Sequence, residues 1–310
     1  MFYVQISGII NIMKKTIIAI VVLVLVALGI YYFINSSKKV VINNGENFVP
    51  TDIPATSTTP VNKDQTVIGK SVEGRDIMAY HYGAGTSTEI LFVGGIHGGY
   101  EWNTALVAFQ TMDYLKANPD IIPANLKVTV IPVLNPDGLY KVTGTTTKFA
   151  VSDVAKSEAV VTSGRFNGNT VDLNRNFDCD WQTEGKWQSK TVSGGDSAFS
   201  EPESKAIKAY ISSNNPTAVV VWYSAAGGVF SSSCHNGVLA ETKSLTNAFA
   251  KASGYPAFEE FDFYEITGDM VNWLAKEKIP AISVLLTNHT DTEWTKNLAG
   301  IKAVLKYYTE

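Results

Sequence analysis

Four short runs of apolar, largely β-branched residues alternate with amphipathic stretches between Glu89 and Tyr308, and this alternation limits the fold more than any other feature. The runs are EILFVGGI (89–96), KVTVIPVL (127–134), TAVVVWYSA (217–225) and AISVLLT (281–287). Their composition and their bounding Gly and Asn-Pro pairs read as buried strands. Between them, TALVAFQTMDYLKAN (104–118) spaces Leu106, Phe109, Met112 and Leu115 as a helix with one buried face does. EPESKAIKAYISS (201–213) is preceded by Ser200, with Glu203 three residues on and Pro202 in the first turn, which predicts a capping box. TGDMVNWLAKE (267–277) and LAGIKAVLKYY (298–308) complete the helical set. Strands alternating with helices predict an α/β layer fold with a largely parallel sheet, in one domain over 65–310.

The chain before that domain has a different character. Lys14 and Lys15 precede Thr16–Ile34, an uncharged run whose helix would be about 28 Å long, close to a bilayer's hydrocarbon thickness. Tyr31 and Tyr32 near its far end suit a membrane interface. The run is long for a signal peptide and lacks an A-x-A site, which favours an uncleaved anchor. The expected organisation is a short cytoplasmic N-terminus (1–15), a transmembrane anchor or signal (16–34), and a flexible linker rich in Asn, Ser, Thr and Pro (35–64). The domain would then lie outside the cytoplasm, in a single-pass protein of the cell membrane. A net charge of -4 offers no basic surface, so nucleic acid is not an expected partner. In an oxidising compartment Cys179 and Cys234 are expected to form a disulfide, with two separate buried thiols as the alternative.

Two segments carry candidate chemistry. In GGIHGGYEWNT (94–104), His97 and Glu101 leave a strand end and enter a helix start. An imidazole and a carboxylate so spaced can converge on one Zn²⁺. The glycines let the backbone turn tightly at the C-terminal edge of a sheet, where open α/β sheets place ligands. In GRFNGNTVDLNRNFDCDW (164–181), Arg165 and the pair Asn174-Arg175 stand close in sequence. Guanidinium groups grip carboxylates in a fork and stabilise oxyanions; surface salt bridging is the plainer alternative.

The chain resembles the zinc carboxypeptidases of the M14 (carboxypeptidase A-like) family. The likeness runs in order through IGKSVEGRDI (68–77), GIH…EWNT, NPDG (135–138), VDLNRNF (171–177), SEPES (200–204) and YEITGDMVNW (264–273). It implies a mixed, mainly parallel eight-stranded sheet flanked by helices, with Zn²⁺ as cofactor. His97 and Glu101 match the first two zinc ligands, although the family's H-x-x-E is one residue shorter. Asn174 and Arg175 match the pair that grips a substrate's terminal carboxylate, and Tyr264 the mobile tyrosine that closes over it. Arg165 resembles the arginine that polarises the scissile carbonyl. Val271 falls where the family reads the C-terminal side chain and would suit an apolar or neutral one, whereas Asp269 nearby would attract a cation.

The resemblance breaks at two positions. Where the family has its third zinc ligand, a histidine before a serine, this chain has Tyr223 before Ser224. Where it has the general-base glutamate, this chain has Leu285, which cannot take a proton from water. His235, His289 and Glu293 are the candidate substitutes, and Glu293, beside Trp294 just past the right strand, is the expected base. His81 reads as structural. Two functions remain open. One is a membrane-anchored, extracytoplasmic zinc metallopeptidase acting on peptide C-termini or peptidoglycan stem peptides. The other is a catalytically degenerate module that binds those ends without hydrolysis.

Overall fold

The β-branched runs become the central strands of a sheet covered on both faces, which is why they are apolar almost without interruption. The computed structural model describes residues 64–309. The expected anchor and, apart from Asp64, the expected linker fall outside the described residues, among which no helix is long and apolar enough to cross a membrane. The strands are β1 (Gln65–Lys70), β2 (Asp76–Tyr82), β3 (Thr88–Val93), β4 (Leu126–Ile131), β5 (Glu184–Trp187), β6 (Lys190–Ser193), β7 (Ala218–Ser224), β8 (Gly228–Ser231), β9 (Ala257–Phe258) and β10 (Ala281–Leu286). Eight of them form one sheet in the order β1-β2-β4-β3-β7-β10-β8-β9, while β5 and β6 form a separate hairpin. The centre, β4-β3-β7-β10, is parallel throughout; antiparallel pairing enters at β1–β2, β2–β4 and β10–β8. The sheet is therefore mixed, mainly parallel and eight-stranded, as expected.

The helices are α1 (Trp102–Ala117), α2 (Pro136–Thr143), α3 (Glu158–Ser163), α4 (Pro202–Asn214), α5 (Ala240–Ser253), α6 (Met270–Lys276) and α7 (Trp294–Tyr307). Successive strand residues point to opposite faces. On one face Leu91, Val93, Val219, Val221 and Leu285 share a core with Ile207 and Ile211 of α4, Trp273 and Leu274 of α6, and Phe177. On the other, Phe92, Val128, Val220, Trp222 and Val284 pack with Val107 and Leu115 of α1, Phe249 of α5, and Ile301 and Val304 of α7. Trp222 is fully buried, and its indole N–H donates to Asn297 Oδ1 at 3.0 Å, so its one polar atom is satisfied.

The predicted capping box before α4 does not form. Glu201, not Ser200, is the N-cap, and Ser200 Oγ donates to the Glu201 carboxylate at 2.8 Å instead. The parallel strands β3, β7 and β10 all deliver their C-terminal ends to one edge, and the register sets Leu285 of β10 beside Tyr223 of β7. The two positions that break the family pattern are thus neighbours at the rim.

Candidate active site

The turn after β3 builds the first part of the site. Gly98 sits at φ +45°, and a Cβ there would meet the Gly164 carbonyl oxygen at 2.6 Å, so the loop closes this tightly only with glycine. His97 and Glu101, both buried, flank that turn, with Glu101 the N-cap of α1. His97 Nδ1 lies 2.9 Å from Glu101 Oε1, and Nε2 lies 3.3 Å from Asp172 Oδ1. Neither ring nitrogen makes an aligned hydrogen bond, although both are fully buried. Glu101 Oε2 accepts the backbone N–H of Ser224 at 3.0 Å, which ties the end of β7 to the start of α1.

Asp172 is the residue that organises this corner, and sequence reasoning gave it no role although it lies within VDLNRNF. It accepts from Arg165 Nε at 2.8 Å and from the Asn174 backbone N–H at 3.1 Å, and Arg165 Nη2 lies at ion-pair distance, 2.8 Å, without an aligned hydrogen bond. Burial alone would raise its pKa, but the Arg165 guanidinium and His97 hold it well below the usual carboxylate range. The available signal was its spacing, two residues before Asn174, where an Asp side chain caps a turn. Arg165 is itself buried, 4.5 Å from the Trp187 ring. The β5–β6 hairpin thus covers it, an element that the strand reading also missed.

The same hairpin fixes Arg175. Arg175 Nε and Nη2 donate to the Lys186 carbonyl at 2.9 and 2.6 Å, and Nη1 donates to the Asn174 carbonyl at 2.6 Å. Arg175 is 1% exposed, yet no carboxylate of the described residues lies within ion-pair distance of it. Of its five N–H groups three are used on carbonyls, leaving one on each terminal nitrogen. Asn174 Oδ1 accepts from the Tyr223 hydroxyl and the Met270 backbone N–H, both at 3.1 Å, so its amide NH₂ is left without a partner among the described residues. Gly268, at φ +64°, lets the 264–270 segment pack on the Arg175 backbone, where a Cβ would come within 2.4 Å of the Arg175 carbonyl oxygen.

One cavity of about 1040 Å³ is lined by His97, Glu101, Arg165, Asn174, Arg175 and Tyr264, together with Tyr223, Val271 and Leu285. Asp269 also lines it, with Oδ1 buried and unpartnered. Burial raises Asp269 to about 6, against the pull of the Arg175 guanidinium. Tyr223 is a neutral phenol: burial pushes its pKa far up, and Asp269 and Glu101 push it further. Its hydroxyl is already engaged, donating to Asn174 Oδ1 at 3.1 Å. Leu285 presents only hydrocarbon. His97 and Glu101 therefore fit a divalent cation, as a buried imidazole and carboxylate in contact without satisfied ring nitrogens, but the third position of the family's set does not.

The substitutes fare differently. Glu293 is not among the cavity's lining residues, which corrects its expected role as base. Its carboxylate accepts from the Thr287 backbone N–H and hydroxyl, from Tyr255 and from Lys296. These bonds, outweighing a burial penalty, lower its pKa to about 2 and make it a poor proton acceptor. His235 lies at the rim, exposed and 2.9 Å from Asp180. It is next to the Cys179–Cys234 disulfide, which is present as expected. His289 lines the cavity, its Nδ1 2.9 Å from Ser224 Oγ and its ring 4.7 Å from that of Tyr100. His81 hydrogen-bonds Thr66 and Thr129 between β1, β2 and β4, a structural place.

Comparison with known proteins agrees with this architecture. Residues 58–292 match the family model described as zinc carboxypeptidase, Peptidase_M14. The chain is 30% identical over 126 residues to carboxypeptidase Z of Rattus norvegicus, a match covering 36% of this chain and 17% of that protein. It is similar in fold to a carboxypeptidase A from Helicoverpa armigera, with 21% identity, TM-score 0.59, and 78% of this chain and 67% of that one covered. It is likewise similar to the murein-tripeptide amidase MpaA from Escherichia coli O157, with 18% identity, TM-score 0.53, and 78% and 92% covered. With three quarters of its length matched by the family model, the chain belongs to the zinc carboxypeptidase family.

Proposed function

We propose that this protein is a metallocarboxypeptidase-type receptor and hydrolase for free peptide C-termini, including peptidoglycan stem peptides, held at the cell membrane with its domain outside the cytoplasm. The observation that carries the reading is Arg175. A buried guanidinium without a carboxylate partner is costly unless an anion completes it, and this one keeps two N–H groups free in a cleft. A terminal carboxylate takes both as a fork, Asn174 adds its amide N–H, and Tyr264 stands in the same cavity to cover the bound end. The unpartnered Oδ1 of Asp269, beside Val271, supports a C-terminal side chain with an amine. The uncharged run 16–34 and the disulfide support the membrane-held, extracytoplasmic location.

His97 and Glu101 are the residues that would hold zinc, which as a Lewis acid polarises a carbonyl and acidifies a bound water. Asp172 orients His97 from behind, as a carboxylate beside a metal-bound imidazole does. Arg165, clamped by Asp172 and covered by Trp187, places a fixed cation where an oxyanion develops. Binding without hydrolysis is the second reading, and Leu285 and the neutral Tyr223 favour it.

The test is incubation of the zinc-supplied, detergent-solubilised full chain with peptides of differing C-termini, followed by mass spectrometry. Loss of single C-terminal residues, absent with the Arg175→Ala variant, is the expected result. Binding of the same peptides without any cleavage would leave only the second reading.

A further inference from the structure

At the rim of the cavity, away from His97 and Glu101, two dipeptides bring four metal-ligating side chains together. They are Cys179-Asp180 and Cys234-His235, joined by the disulfide. One ligand atom from each of the four lies within 4.8 Å of all the others. His235 Nε2 is 2.9 Å from Asp180 Oδ1, and Cys179 Sγ is 3.8 Å from Asp180 Oδ2. The cysteines are buried, whereas the Asp180 and His235 side chains are more than half exposed, which leaves an ion a way in.

The backbone holds this cluster together, and not the sulfur–sulfur bond alone. The Cys179 carbonyl accepts the backbone N–H of Gly268, just before α6, at 2.7 Å. The Ser233 backbone N–H donates to Asn272 Oδ1, within α6, at 2.9 Å. Both cysteine loops therefore hang on the start of one helix, with the cysteine Cα atoms 6.2 Å apart. The residue after each cysteine takes the left-handed conformation that side chains other than glycine rarely adopt, Asp180 at φ +53° and His235 at φ +61°. The Asn236 N–H closes a turn around His235 onto the Cys234 carbonyl at 2.7 Å.

We propose that this rim cluster is a second cation site, for Zn²⁺, formed when the disulfide is reduced. Two thiolates, one imidazole and one carboxylate supply four donors, the number that closes a tetrahedral zinc site, and thiolates favour zinc over harder cations. While the disulfide stands, neither sulfur is an anionic ligand, and Asp180 and His235 alone offer two donors. A dithiol reductant opens the bond: its own two thiols become a disulfide, and their two electrons and two protons pass to Cys179 and Cys234. Zn²⁺ then displaces those two protons to solvent and binds the thiolates. Donors around tetrahedral zinc stand about 3.3–3.8 Å apart, so the four side chains need only rotate to close on it. The ion then takes over the cross-link between the two loops. This site requires neither that His97 and Glu101 hold a metal nor that Arg175 grips a carboxylate.

The test uses the full chain, reduced with a dithiol that is then removed under anaerobic conditions. It is titrated with Co²⁺ by absorption and with Zn²⁺ by calorimetry, beside the oxidised protein. The reduced protein is expected to bind one ion more per chain than the oxidised one, and its Co²⁺ form to show a thiolate-to-metal charge-transfer band. His97→Ala should keep that band, Cys234→Ser should lose it, and His235→Ala and Asp180→Asn should each weaken binding at least 10-fold. No additional ion in reduced wild type would overturn the proposal. Unchanged affinity in both His235→Ala and Asp180→Asn would overturn it too, since the thiols would then bind alone. Melts followed by circular dichroism cover the case in which reduction loosens the fold. Any fall in Tm should be recovered by Zn²⁺ in wild type and not in His235→Ala, and a fall that Zn²⁺ leaves unchanged in wild type counts against the site.

Discussion

The two halves of the cleft have fared differently. The half proposed to grip a carboxylate is intact: Arg175, Asn174 and Tyr264 line one cavity, and among the described residues no carboxylate lies within ion-pair distance of Arg175. The half that would hold metal and move protons is partly rebuilt. His97 and Glu101 are in place, but Tyr223 now bonds Asn174 and Leu285 fills the base position with hydrocarbon. The two proposed roles rest largely on different elements. The Asn174 turn and the Lys186 carbonyl of the β5–β6 hairpin hold the first, and the ends of β3, β7 and β10 hold the second, with Trp187 of the same hairpin covering Arg165. Tyr223 belongs to both: at the position where the family pattern has a histidine, its hydroxyl donates to Asn174 Oδ1.

The strongest way to break this comparison is through Asp172, which joins the halves. Asp172→Asn leaves Arg165 buried without its carboxylate and should lower stability by about 3–5 kcal/mol, read from urea unfolding. A loss below about 1 kcal/mol would mean that the corner is not held by this ion cluster. Next comes Arg175→Ala, which should weaken binding of a free-carboxylate peptide by about 2–5 kcal/mol in calorimetry. A smaller loss would place the grip elsewhere.

Asp269 sharpens the comparison through pH. Its folded pKa, raised to about 6 from 3.8, means that the folded state holds the proton more tightly than the unfolded chain does. Its contribution is therefore lost as pH rises from about 4 to about 6, and Asp269→Asn, which keeps the cap on α6, should be more stable than wild type at pH 7 by about 3 kcal/mol. Equal pH profiles for the two proteins would show that Asp269 is paired or solvated. The smallest effect belongs to Tyr223→Phe. Removing one of the two donors to Asn174 Oδ1 should cost about 0.5–1.5 kcal/mol of stability and weaken carboxylate binding only slightly.

Much of the fold was legible because the central strands are buried on both faces and so carry unbroken apolar runs. EILFV, VVVWY and AISVLL all fall within the observed strands. The β5–β6 hairpin was not legible, since its Glu, Lys and Gln residues face outward and its use lies in a backbone carbonyl and one indole. In the site, motif order located His97, Glu101, Asn174 and Arg175, but Asp172 was passed over inside its own motif. Glu293 was misread for a physical reason. Position just past the right strand does not say where a carboxylate turns, and this one turns back to cap Thr287 and bond Tyr255.

The central claim is that the cleft is a receptor for a free C-terminal carboxylate centred on Arg175. Calorimetric titration of the full chain with one peptide in two forms, free acid and C-terminal amide, tests it directly. The account predicts at least 100-fold tighter binding of the acid in wild type, a difference of about 2.7 kcal/mol, and no preference in Arg175→Ala. Equal affinity for acid and amide in wild type would contradict it.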